Sequence, residues 1–150
     1  MKTMTFLVKS IFLLQLLACF QENTIKPNEQ RNEKTDKMKI TVGTSTFSAT
    51  LQSNATANAF RESLPITLTM SELNNNEKYA DLEGSLPTNA SNPGTIQNGD
   101  LMLYGSSTLM LFYKSFSTSY RYTKIGRIDD PKGLEEALGT GDVSITFDNN

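Results

Sequence analysis

The sequence predicts a mainly β domain, a barrel of mixed topology with two short helices, preceded by an export signal and a polar tether. Three observations point there. From Met38 onward, apolar and polar residues alternate at period two in segment after segment, giving about seven strand-like runs. Helical periodicity is confined to one early and one late stretch. Strands and helices do not alternate as they would in a parallel βαβ sheet, so a β-barrel is favoured over a Rossmann-type sheet.

The chain begins with Lys2 and Lys9 around an apolar stretch, 11–18, that is interrupted by Gln15 and meets the single cysteine, Cys19. A charged n-region followed by a short h-region is the pattern of a signal peptide. A membrane-spanning helix needs about 20 mainly apolar residues, more than this run supplies. The junction Leu16-Leu17-Ala18-Cys19 resembles the bacterial lipobox, in which a small residue precedes a cysteine that receives diacylglycerol. An ordinary signal peptide wants small residues at the first and third positions before the cut; Ala18 meets one requirement and Leu16 fails the other. Residues 1–18 are therefore expected to be a lipoprotein signal peptide and Cys19 the lipidated residue. The chain would then sit at the bacterial cell envelope, lipid-anchored and facing the periplasm or exterior, with the membrane as a partner.

Residues 19–37 are expected to be the lipidated cysteine and a disordered tether. Past Phe20 the segment is made of Glu, Asn, Gln, Lys, Thr and Asp, with Ile25 as its one aliphatic residue and Pro27 as a helix breaker. Such a composition buries too little apolar surface to offset its ordering entropy.

The domain, 38–150, opens with runs at 38–42 and 46–51. In them Met38, Ile40 and Val42, then Phe47, Ala49 and Leu51, alternate with polar residues across a glycine turn, which reads as a hairpin. Asn54 is placed to cap a helix reaching about Leu64, with Ala57, Phe60 and Leu64 on one face and Pro65 as its stop. Residues 66–70 alternate again. A long polar stretch, 74–99, with Pro87, Pro93 and three consecutive asparagines, reads as a loop. The runs 101–105 and 108–113 are apolar on both faces and should be central strands. A strand over 120–128 leads to Asp130 as helix cap and Pro131 at the first helical position. Leu134, Ala137 and Leu138 form that helix's buried stripe, Gly139 ends it, and 143–147 alternates as the last strand.

Composition removes several chemistries. The chain has no histidine and one cysteine, so neither a histidine-dependent nucleophile pair nor a nitrogen/sulfur zinc site can be assembled, and no intrachain disulfide can form. No metal site and no cofactor are expected. Net charge is −2 with the 14 basic residues scattered, which argues against nucleic acid as a partner. Asp129-Asp130 does not read as a catalytic pair, because adjacent residues at a strand end point in opposite directions. The G-x-G at 139–141 follows a helix and precedes a strand, the reverse of the phosphate-binding order.

The order of elements, together with Gly99-Asp100-Leu101-Met102-Leu103-Tyr104, Leu111-Phe112-Tyr113 and Ile125-Gly126-Arg127-Ile128, resembles the bacterial cyclophilin-like domains over about 38–147. The resemblance implies an eight-stranded barrel closed by two helices, with a ligand groove on one outer face. Peptidyl-prolyl isomerases of this fold use an arginine beside an apolar proline pocket, in a strand after the first helix. The corresponding stretch here, 68–73, carries no arginine, so no catalytic residue is assigned. Carried over to this sequence, the groove candidates are Met102 and Tyr104 on one strand and Met110 and Phe112 on its neighbour. The alternative is that some of these are ordinary core. Arg127 looks like a buried cation that could meet an anionic ligand, or else pair with Asp100 or Asp129. The expected function is a non-catalytic module binding a small molecule or peptide, the alternative an envelope isomerase or chaperone.

Overall fold

The computed structural model describes residues 36–150. The signal peptide expected at 1–18, the lipidation of Cys19 and all but the last two residues of the tether lie outside the described residues. The elements in chain order are β1 (Lys37–Val42), β2 (Ser45–Leu51), α1 (Ala55–Glu62), β3 (Ile66–Leu73), β4 (Glu77–Asp81), β5 (Thr95–Ile96), β6 (Asp100–Tyr104), β7 (Thr108–Phe112), β8 (Phe116–Ser117), β9 (Thr123–Ile128), α2 (Leu134–Leu138) and β10 (Val143–Asn149). Eight strands close an antiparallel barrel in the order β1-β10-β3-β4-β7-β6-β9-β2, and β5 pairs with β8 as a separate ribbon. The barrel of eight strands and two helices that the sequence led us to expect is the fold observed.

Local chemistry accounts for most boundaries. Asn54 caps α1, its side-chain oxygen accepting from the Ala57 N–H at 2.8 Å. β1 takes in Lys37, one residue earlier than expected. Lys37 pairs with Thr50 across β2, and its ammonium donates to Thr50 Oγ1 at 2.6 Å and to Asp129 at 2.9 Å. Hydrogen bonds from Thr50 and Lys37 hold the Asp129 carboxyl below its ordinary range.

Two expectations are corrected. Asp130 and Pro131 do not start the late helix: Asp130 accepts from the Lys132 N–H in a tight turn, and α2 begins at Leu134 behind Gly133 in the left-handed region. Gly133, at φ 80°, supplies a backbone conformation that other residues seldom adopt. The stretch 74–99 is not all loop, because β4 and the short β5 lie within it. Asn74 and Asn75, at φ 56° and 54°, form the tight turn joining β3 to β4. Two successive residues at positive φ match a type I′ hairpin turn, and asparagine tolerates that region better than most residues.

Period two divides β6 and β7 between two apolar clusters. Leu101, Leu103, Leu109 and Leu111 point into the barrel, where they meet Ile40, Met70, Ile125, Ile145 and Phe147. Ala57 and Phe60 of α1 and Leu134 and Leu138 of α2 belong to the same cluster; Phe60 meets Phe147 edge-on at 5.8 Å. The alternate residues Met102, Met110 and Phe112 face outward into a second cluster with Ile96 and Tyr122, flanked by Tyr79 and Phe116. That second cluster is why both faces of these strands are apolar.

One charged network is buried in the barrel. Lys78 is fully buried, and its ammonium donates to Glu72 at 2.5 Å and to the carbonyls of Gly139 and Gly141 at 2.9 and 2.7 Å. It thereby ties β4 to the segment that leaves α2. The Tyr113 hydroxyl donates to Glu72 at 2.8 Å. Burial opposes the Glu72 charge, but the bonds from Lys78 and Tyr113 prevail and hold its carboxyl low. Burial, reinforced by Glu72, drives the Tyr113 hydroxyl well above its ordinary range.

Candidate ligand groove

Strand register places the outward residues of three neighbouring strands side by side. Met102 stands opposite Met110, Tyr79 opposite Met110 from the other side, and Glu77 opposite Phe112. Above this patch, the ribbon of β5 and β8 contributes Ile96 and Phe116. Tyr122, just before β9, is held by paired backbone bonds with Ser91, 3.0 Å each way.

The result is a cleft of about 190 Å³ lined by Leu73, Asn74, Glu77, Tyr104, Met110, Tyr120 and Tyr122. The tyrosines form a cluster of their own. Tyr104 meets Tyr120 edge-on, centroids 6.3 Å apart, and Tyr122 at 5.8 Å. Tyr122 packs edge-on against Phe112 at 5.5 Å, which in turn contacts Phe116 at 5.8 Å. Such tilted and edge-to-face arrangements are the favoured geometries of aromatic pairs.

The four groove candidates share the outer face but not the same depth. Tyr104, 47% exposed, and Met110, 4% exposed, line the cleft. Met102 and Phe112, at 1% and 0%, lie beneath it and support the ring cluster. Arg127 is elsewhere and is not buried. Its position in β9 points outward, its side chain is half-exposed, and its Nε lies 3.6 Å from Asp100 Oδ1. It lines a separate polar cleft with Thr50, Gln52, Asn98 and Asp129. The fully buried lysine is Lys78 instead, committed to Glu72.

Sequence reading missed Glu77, Leu73, Tyr120 and Tyr122. The tyrosines carried a signal, since Tyr120 and Tyr122 share the spacing that places Met110 beside Phe112. Glu77 carried none, being one more charge in a polar stretch. It is 5% exposed, and among the described residues no ion pair involves it. Burial, with a smaller contribution from the Glu72 charge, pushes its carboxyl up to about 6 against a hydrogen bond from Asn74. Burial also raises the Tyr122 hydroxyl, assisted by the charge of Glu77.

No guanidinium of a described residue lines the cleft. Arg61 is buried on α1, Arg121 donates to the Ala90 carbonyl, and Arg127 faces Asp100. What the site offers is an apolar floor, rings that present both faces and edges, and one carboxyl group.

No curated protein and no solved structure matches the chain. Residues 40–148, nearly the whole described domain, match the cyclophilin-like family. The barrel topology and this match agree, and the chain belongs to the cyclophilin-like family.

Proposed function

We propose that this protein is a lipid-anchored module of the bacterial envelope, held in the membrane through Cys19, whose cyclophilin-like domain binds a small molecule or peptide without catalysing a reaction on it. The observation that carries the binding half is the cleft over Met110, with Tyr104, Tyr120 and Tyr122 around it. Aromatic rims on an apolar floor are good at holding a ligand and poor, by themselves, at favouring one of its conformations over another. Isomerisation of a prolyl bond must overcome a barrier of about 18–20 kcal/mol, and only interactions stronger in the twisted state than in the planar one lower it. Where such a donor would help, the cleft has the carboxyl of Glu77, which cannot replace a guanidinium.

Two experiments test the two halves. Exchange NMR on a short proline peptide should show an unchanged cis/trans rate, while titration with small ligands and peptides shifts the Met110 methyl and Tyr104 ring signals. Tyr104→Ala should reduce those shifts. Accelerated exchange that is lost in Tyr104→Ala would refute the non-catalytic reading in favour of an isomerase. The anchor predicts palmitate labelling of the wild-type protein that disappears in Cys19→Ser; unlabelled wild-type protein would refute it.

A further inference from the structure

We infer that the groove selects a cationic head group, an alkylammonium, seated between the Glu77 carboxylate and the rings of Tyr104, Tyr120 and Tyr122. This rests on the reading of the cleft as the binding site and names the ligand chemistry it takes. A positive charge over an aromatic face is attracted by the ring quadrupole, and the attraction grows when the site excludes water. Tyr104, packed against both Tyr120 and Tyr122 on a cleft of about 190 Å³, forms with them a set of rings that supplies such faces. At about 30 Å³ per water, that volume corresponds to a handful of displaced waters, the scale of a small organic cation.

The carboxylate decides the sign of charge. Glu77 is 5% exposed and lines the cleft, yet it has no cation of its own among the described residues. Every cation on the elements packed around it is directed or held elsewhere. Lys78, the next residue in β4, turns into the barrel and is bound by Glu72. Lys114, after β7, pairs with Glu135 at 3.1 Å. Arg121, between the two rim tyrosines, donates to the Ala90 carbonyl. Lys124, opposite Met102, is exposed and does not line the cleft. The Asn74 side chain hydrogen-bonds Glu77, the Tyr122 and Tyr113 hydroxyls lie near enough to feel its charge, and the like charge of Glu72 is nearby. A buried carboxylate in these surroundings is stabilised by an incoming cation and repels an incoming anion.

The ammonium could be carried by a free small molecule or by a lysine side chain of a peptide, and the test has an arm for each. The purified full chain is titrated with choline, with its uncharged isostere 3,3-dimethyl-1-butanol, and with a blocked Gly-Lys-Gly peptide, following the Met110 methyl and tyrosine ring signals. Choline or the lysine peptide should bind at least about tenfold more tightly than the isostere, the difference expected when one fixed charge interaction is lost. The tighter of the two identifies the source. Glu77→Gln, which keeps the shape of the side chain, should abolish the preference. Acidification through about 6 should weaken cation binding in the wild type and leave Glu77→Gln unaffected. Equal binding of choline and isostere would overturn the cationic inference while leaving the groove as a binding site. If none of the three probes moves the groove signals, the inference fails. The binding-module reading fails with it only if proline peptides also leave Met110 unmoved.

Discussion

Glu77→Gln should make the domain more stable at neutral pH and leave it unchanged in acid. The carboxyl is lifted from an ordinary value of 4.5 to about 6, first by burial and then by the charge of Glu72. At ~1.4 kcal/mol per tenfold change in proton affinity, that displacement corresponds to about 2 kcal/mol of destabilisation when the group is ionised. The sign follows from the raised value. Between about 4.5 and 6 the folded state binds the proton that the unfolded chain releases. Stability attributable to this group is therefore complete below 4.5 and is lost as pH rises through about 6. Glutamine removes the ionisation at the cost of a slightly altered bond to Asn74, so about 1–2 kcal/mol should be gained at pH 8 and nothing at pH 4. Urea unfolding at pH 4, 5, 6, 7 and 8, followed by circular dichroism since the chain has no tryptophan, would give midpoints at a common slope. Equal midpoints at pH 8, or a larger gain at pH 4 than at pH 8, would refute the reasoning.

Two further substitutions test how the barrel is held. Lys78→Met keeps the aliphatic stem but removes the ammonium from Glu72, which keeps only the Tyr113 hydroxyl as a side-chain donor, and from the carbonyls of Gly139 and Gly141. The loss should be about 3 kcal/mol, the lower end of the range for a broken buried pair because the Glu72 side chain is 22% exposed and can draw in water. A chemical-denaturation midpoint unchanged from the wild type would contradict it. Gly126→Ala places a Cβ 2.7 Å from the Thr50 carbonyl oxygen, backbone that cannot yield without opening the β2–β9 seam. A loss of about 1–3 kcal/mol is expected, with faster amide exchange along β2 and β9; protection equal to wild type would show that the seam tolerates the methyl.

The strands that were readable from sequence are those whose inward residues are all apolar. Met38, Ile40 and Val42 announce β1, and Ile145 and Phe147 announce β10, because each side of those strands faces one kind of environment. The cap of α1 was readable because Asn54 makes a purely local bond. The start of α2 was not, since Asp130 and Pro131 fit a capping pattern equally well as a turn, and only packing of Leu134 against the barrel selects between them. Arg127 looked buried because its strand is apolar on both sides of it, while its outward register is set by pairing with Asp100 and Thr50; the contact with Asp100 was one of the two partners expected for it.

β4 went unseen for the same reason that it matters. Its alternate positions are Lys78 and Ala80 on the inner face and Glu77 and Tyr79 on the outer, so hydropathy finds no apolar stripe. A buried charge normally needs a partner, and the pleat gives adjacent residues opposite solutions. Lys78 turns inward to Glu72, a residue brought near by a turn of asparagines at positive φ. Glu77 turns outward beneath the tyrosines and finds the Asn74 side chain but, among the described residues, no cation. The first charge ties β4 to Glu72 and to the segment after α2, and the second, raised to about 6, is expected to cost stability at neutral pH. A side chain that opposes folding where a glutamine would not is what a site kept for a ligand would contain. The polar sequence that hid the strand is therefore also what distinguishes this groove from a wholly apolar one.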